Sequence, residues 1–236
     1  MSYLTLGYEN IITIALAIIG FIIVLAAQLK INSAYTKSKA IACKKGISGQ
    51  EVARMILDQN GLTDIHIVET KGTLTDHYDP SRKVVRLSTE VFHGTSIASI
   101  SVAAHECGHA IQDKENYSFM RIRSALVPFV NLASYLGYFS IIISLLAGIT
   151  GYLMIGILIL LATILFQLVT LPVEFDASKR AGIQLEQLGI VDLEEKEDVK
   201  NMLGAAAMTY VASLISSILN LLRLILMFQN RDDYVK

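Results

Sequence analysis

The sequence contains few charged residues and no excess of either sign. Asp, Glu, Lys and Arg make up 17% of its 236 residues, and the formal net charge at pH 7 is −1. This balance argues against the basic surface of a nucleic-acid-binding protein and against an acidic-substrate site. Internal repeats of 20–50 residues and low-complexity tracts are also missing. We therefore expect no nucleic-acid partner.

Cysteine is scarce as well. Cys43 and Cys107 are far apart in the sequence and form no CxxC pair. Two such cysteines do not indicate a protein held together by a disulfide framework. Cys107 lies between two histidines, and we interpret it as a small packed residue rather than as a ligand or a redox group.

Long apolar stretches are what the sequence has instead, with 53% hydrophobic residues. Ile11–Leu29 carries no charge and has about the length of 20 residues that crosses a bilayer. The first ten residues contain no Lys or Arg, which favours an uncleaved span over a cleaved signal peptide. We assign 1–29 to an N-terminal transmembrane helix.

A second apolar stretch, 124–173, contains no Asp, Glu, Lys, Arg or His. It is long enough for two spans of about 20 residues each. Two glycines at 148–151 favour a turn there. The stretch therefore predicts a transmembrane hairpin with arms at 125–147 and 152–171.

The third apolar stretch, 202–229, has Arg223 as its only charge. We interpret residues 201–236 as a fourth span with a tail. The alternative is a helix that packs on the polar region and only touches the membrane. Arg223 could reach an interface or pair inside the bundle.

Basic residues predict the orientation of these spans. Lysines cluster after the first span, and Arg121 and Arg123 precede the hairpin, whereas the first ten residues and the 148–151 turn have none. By the positive-inside rule, 30–123 is cytoplasmic. The hairpin returns the chain to the same side, so 174–200 is cytoplasmic and both termini lie outside.

The polar region 30–123 has recognisable local signals. Ser48 and Glu51 form a capping-box pattern that opens a helix, and Asn60-Gly61 ends it. Residues 65–68 and 84–87 are typical of short strands, and Asp79-Pro80-Ser81-Arg82 between them is typical of a turn. These signals predict a hairpin or a small sheet.

A helix from about 95 to 113 carries the chemistry. Thr95 or Ser96 can cap it, and its apolar residues recur at helical spacing. His105 and His109 are four residues apart and share one helical face, so both imidazoles can bind one metal ion. Glu106 lies beside them, poorly placed as a ligand but suited to a general base for water activated by zinc. The alternative, a pair of ordinary surface histidines, fits poorly with a helix that is otherwise apolar.

A catalytic zinc needs a third protein ligand. Downstream acidic candidates are Asp113, Glu115, Glu174 and Asp176. Asp113 is one turn further on, where the helix curves away from the metal. Glu174 is favoured because the hairpin returns it to the side of the two histidines. The alternative for Glu174 is an interfacial carboxylate that ends a span.

Two segments resemble a known family. His-Glu-Cys-Gly-His-Ala-Ile-Gln at 105–112 and Glu-Phe-Asp-Ala-Ser at 174–178 resemble the bacterial YugP-type neutral zinc metallopeptidases. The resemblance covers nearly the whole chain. It implies a gluzincin-like fold, peptide hydrolysis, one Zn²⁺ per chain and Glu174 as a ligand.

The arrangement is also similar to HtpX-type and CAAX-type membrane peptidases. In those families an aspartate four residues after the glutamate ligand supports the first histidine. Here that position is Ser178. The residue that supports the ligands is therefore left open between Asp176 and Ser178.

Other candidates have weaker support. His77, Tyr78 and Tyr210 could contact substrate or stabilise an oxyanion, although a turn contact or a membrane-edge tyrosine explains them as well. The strand at 84–87 could pair with an extended substrate.

Together these observations predict a mainly α membrane protein in a bacterial cell membrane. It has about four transmembrane helices and a small α+β, zincin-like cytoplasmic region with a short sheet or hairpin. The expected activity is hydrolysis of polypeptides, including membrane proteins, at the cytoplasmic surface of the bilayer. A catalytically silent zinc-binding scaffold is the alternative. An intramembrane site is disfavoured by the charged residues that separate the motif from the hairpin. A transporter is disfavoured because the hairpin itself carries no charged residue.

Overall fold

The computed structural model describes the backbone of residues 3–147 and 153–235, and the side chains of 11–133, 135, 136 and 155–226. It confirms a mainly helical protein with a small mixed sheet. The elements in chain order are α1 (Tyr3–Lys39), α2 (Gly49–Gln59), β1 (His66–Thr70), β2 (His77–Asp79), β3 (Val84–Ser88), α3 (Thr89–His93), α4 (Ile97–Lys114), α5 (Ser118–Ala147), α6 (Leu153–Gln187) and α7 (Lys196–Val235).

Backbone contacts divide the chain into two compact units. The first comprises Met1–Ala27, Ile122–Thr170 and Thr209–Lys236. The second comprises Gln28–Arg121 and Leu171–Met208. The second unit contains the motif helix α4 and Glu174, so the candidate site can be described within it alone.

The first unit is built from apolar helices with exposed apolar side chains. Among the described residues, three helices are long and apolar enough to cross a membrane: Ile11–Lys39, Ile155–Gln187 and Lys196–Leu226. These agree with the predicted first span, second hairpin arm and last span. The predicted turn at 148–151 lies outside the described residues. The first arm, 125–147, falls in α5, whose side chains are described only in part, so this span and the orientation stay predictions.

The second unit has its own apolar core. The capping box predicted for α2 is present: Ser48 Oγ accepts from the Glu51 N–H, and the Glu51 carboxylate accepts from the Ser48 N–H. Gly61, which follows the helix, has a φ of +64°, a conformation that glycine adopts without strain. Val52 and Ile56 of α2 are fully buried in one apolar cluster with residues of α4. This packing fixes α4 along its apolar face.

The sheet has the strand order β1-β3-β2. Strands at 65–68 and 84–87 were expected, and β1 and β3 confirm them; they pair in parallel. The turn at Asp79–Arg82 joins β2 to β3 in an antiparallel hairpin, and the Asp79 carboxylate accepts from the Ser81 and Arg82 N–H groups. The expectation that 84–87 could pair with a substrate is wrong, because β3 is the central strand and both its edges are already hydrogen-bonded.

Candidate metal centre

Helix α4 carries three of the predicted site residues, and the sequence explains where it begins. Ser96 is the N-cap, and its Oγ accepts from the Ser99 N–H at 3.2 Å. Ile97, Ile100 and Ala104 are buried, as their helical spacing predicts. The face that remains carries the motif histidines.

The two histidines lie one above the other on this face. The ring centroids of His105 and His109 are 4.8 Å apart, and the rings are nearly perpendicular. His109 is buried and His105 is partly buried. The spacing of four residues therefore brings both imidazoles to one place, as expected.

Glu174 of α6 completes the group. Its Oε2 atom lies 3.3 Å from Nε2 of His105 and 3.6 Å from Nε2 of His109. Potential ligand atoms of all three residues lie within 4.8 Å of one another. Two imidazole nitrogens and one carboxylate oxygen are the ligand set of a catalytic zinc with one open position. Glu174 is only 2% exposed, and a carboxylate this deeply buried needs a positive partner. The three residues therefore fit Zn²⁺.

Gly108 allows α6 to come this close to α4. A Cβ atom at this position would meet the backbone of Ala177, three residues after Glu174. The motif itself indicates that a glycine here leaves room beside the ligands. Its place between the two histidines of the motif was the available signal.

Each histidine has a polar partner on its second ring nitrogen. Nδ1 of His105 lies 3.2 Å from Oγ of Ser178, and Nδ1 of His109 lies 3.0 Å from Oε1 of Gln112. Both rings thus direct Nε2 towards Glu174. Burial lowers the pKa of His109, but hydrogen bonding to Glu174 and the nearby carboxylate charges raise it by more, so the pKa lies above its ordinary value.

Glu106 is held beside this group by the edge strand β2. The Tyr78 N–H donates to Oε2 of Glu106 at 2.9 Å, and the Glu106 side chain is 8% exposed. The Tyr78 hydroxyl donates to Asp113 at 3.0 Å. Burial, followed by the charge of Asp113, raises the pKa of the Tyr78 phenol, so it stays a donor. The strand therefore contributes a backbone donor to the Glu106 carboxylate.

The other acidic candidates are engaged elsewhere. Asp113 accepts from Tyr78, and Glu115 pairs with Arg180 at 2.7 Å. Asp176 accepts from Gln112 at 2.8 Å and from Arg180 at 2.5 Å. Of the four carboxylates considered, Glu174 is therefore the one that faces both His105 and His109.

The structure places the weaker candidates His77 and Tyr210 on β2 and α7. His77 is exposed on β2, with Nδ1 2.8 Å from the Thr75 carbonyl. Tyr210 lies on α7 in the first unit. Cys107 is fully buried with its thiol 3.6 Å from the Ala53 carbonyl, and burial and then the charge of Glu106 raise its pKa. This environment favours the packing interpretation of Cys107.

Comparison with known proteins gives one family and one curated relative. Residues 13–229 match the family described as "Putative neutral zinc metallopeptidase". The chain is 44% identical over 207 residues to the "Putative membrane protease YugP" of Bacillus subtilis (strain 168), covering 88% of this chain and 92% of that protein. No solved structure matches the chain significantly. The match over most of the chain confirms the resemblance seen in residues 105–112 and 174–178.

Proposed function

Because this chain belongs to the family of "Putative neutral zinc metallopeptidases", we propose that it is a membrane-bound zinc endopeptidase with His105, His109 and Glu174 as metal ligands and Glu106 as general base. The observation that carries the proposal is the convergence of the three ligand side chains from two helices. The family alone supports a metallopeptidase; the assignment of individual residues rests on this geometry.

Zinc held by these residues would polarise a peptide carbonyl and lower the pKa of a bound water. Glu106 would take the proton from the attacking water and pass it to the departing amine, as one residue can act first as base and then as acid. The Tyr78 N–H holds one oxygen of the Glu106 carboxylate, which limits the orientations that the carboxylate can adopt. His105 and His109 would stay in fixed orientations because Oγ of Ser178 and Oε1 of Gln112 lie within hydrogen-bonding distance of their Nδ1 atoms.

The proposed place of hydrolysis is the cytoplasmic surface of a bacterial cell membrane. The distribution of Lys and Arg around the first span and the hairpin supports this side. Three candidate spans support a multi-pass protein bound to lipid. The substrate would be a polypeptide, including segments of membrane proteins that reach this surface. The proposed organisation is a first span at 1–29, a cytoplasmic region at 30–123, a hairpin at 124–173, a second cytoplasmic segment at 174–200 and a last span with its tail at 201–236.

The alternative is a zinc-binding scaffold without activity. The presence of Glu106 and its hydrogen bond from β2 favour the enzyme, because a scaffold has no need of a positioned base. Purified protein in detergent should contain one zinc per chain by elemental analysis and should cleave unfolded casein. A chelator should abolish cleavage, and added zinc should restore it. A protein that holds zinc but never cleaves would favour the scaffold, and cleavage that survives complete removal of the metal would contradict the proposed mechanism.

A further inference from the structure

Gln112 is a fully buried polar side chain in contact with a predicted ligand. It lies on α4 one turn after His109, and it has no exposed surface. Its amide contacts three groups: Nδ1 of His109 at 3.0 Å, the Val173 carbonyl at 2.8 Å and the Asp176 carboxylate at 2.8 Å. Buried amides keep such partners because an unpaired one is costly.

Its neighbours fix the orientation of this amide. The Val173 carbonyl and the Asp176 carboxylate can only accept hydrogen bonds, so the end of Gln112 that faces them must be the NH₂ group. The oxygen of the amide then faces His109. An amide oxygen accepts only, so the proton between the two residues must belong to Nδ1 of His109.

This sequence of contacts determines the tautomer of His109. A neutral imidazole with its proton on Nδ1 has its lone pair on Nε2. Nε2 is the atom that faces Glu174, at 3.6 Å. We propose that Gln112 is a positioning residue that holds His109 in the Nδ1–H tautomer and thereby presents Nε2 to the metal; the inference rests on the proposed zinc site.

Asp176 gains a role from the same contacts. Its Oδ2 atom accepts both from Gln112 and from Nε of Arg180, and Arg180 also pairs with Glu115. Asp176 therefore secures the amide rather than a histidine, while Ser178 contacts His105 directly. The two candidates that the sequence left open support different ligands.

The test is zinc affinity, measured by competition with a chelator. Gln112→Met keeps the length and burial of the side chain but removes the acceptor for His109. Loss of a partner of this kind costs about 10–100-fold in metal affinity, and we expect a weakening in that range. Ile111→Val is the matched control, because it alters packing at the neighbouring buried position of α4, within the apolar core cluster. It should bind zinc as tightly as the wild type.

A second measurement does not require the variant to fold. In zinc-loaded wild-type protein with ¹⁵N-labelled histidine, NMR should show the proton of His109 on Nδ1 and the metal on Nε2. The opposite assignment would overturn the inference, as would unchanged affinity in Gln112→Met or an equal loss in Ile111→Val. These outcomes leave the zinc site intact, whereas a wild-type protein that binds no zinc would overturn the proposed function and this inference together.

Discussion

The backbone of Ala177 on α6 passes so close to Gly108 on α4 that a Cβ atom on the glycine would lie 2.5 Å from the Ala177 carbonyl oxygen. This contact occurs between the two histidines of the proposed metal site in sequence, and three residues after Glu174. The three proposed ligands can therefore meet only if α4 and α6 come this close.

Gly108→Ala should separate α4 from α6. Alanine favours a helix over glycine by about 1 kcal/mol, so without the contact the substitution would stabilise the protein. Overpacking against rigid backbone costs about 1–3 kcal/mol, and the displaced Glu174 should weaken zinc binding. The temperature of thermal unfolding in detergent and the zinc affinity should both fall.

Gly182→Ala is the control for this change. Gly182 also lies on a helix, α6, but a Cβ atom there would meet nothing within 4 Å. It should leave zinc affinity unchanged and stability equal or slightly higher. Equal effects of the two substitutions would contradict the role given to Gly108.

Glu174→Ala should weaken zinc binding by more than the roughly 10–100-fold typical of residues that only support a ligand, because it removes one of the three proposed ligands. Glu115→Gln serves as the control, since that carboxylate pairs with Arg180. Zinc affinity by chelator competition distinguishes the two. An unaltered affinity in Glu174→Ala would assign the third ligand to another residue.

Ser178→Ala should reduce zinc affinity about 10-fold, the lower end of the range for a supporting residue, because a neutral hydroxyl is the partner of His105. The neighbouring exposed Lys179, replaced by alanine, should have no effect. If Ser178→Ala binds zinc as tightly as the wild type, His105 needs no support from this hydroxyl.

The predicted orientation can be tested by labelling of single cysteines in cells. Cys43 and Cys107 are buried, so they give little background. Leu193 is 88% exposed and lies in the segment proposed to be cytoplasmic. Leu193→Cys should react with a membrane-impermeant maleimide only after the cells are opened, whereas Thr150→Cys, at the predicted outer turn, should react in intact cells. Reversed labelling would place the site outside.

Local rules predicted most of the second unit. The capping box at Ser48 and Glu51 and the cap at Ser96 are decided by neighbouring residues, and both helices begin where the sequence indicates. His105 and His109 share a face because helical geometry requires it. Glu174 was favoured only through the predicted return of the chain after the apolar stretch.

Non-local contacts explain what the sequence did not reveal. β2 has three residues, too few for a periodic signal, and its pairing makes β3 a central strand. Gln112 was part of the quoted motif, but its partners Val173 and Asp176 are more than sixty residues away. The one local sign of its role was that a polar residue stands on a buried helix face, one turn after His109.

The most direct test of the account compares Glu106→Gln with the wild type, measuring zinc content and cleavage of unfolded casein on the same preparations. The substitution keeps the size of the side chain and leaves all three ligands in place, but an amide cannot accept the proton from water. Zinc content should be equal, and cleavage should fall by about 10²–10⁴-fold, the usual contribution of a general base. Equal cleavage by the two proteins would contradict the account.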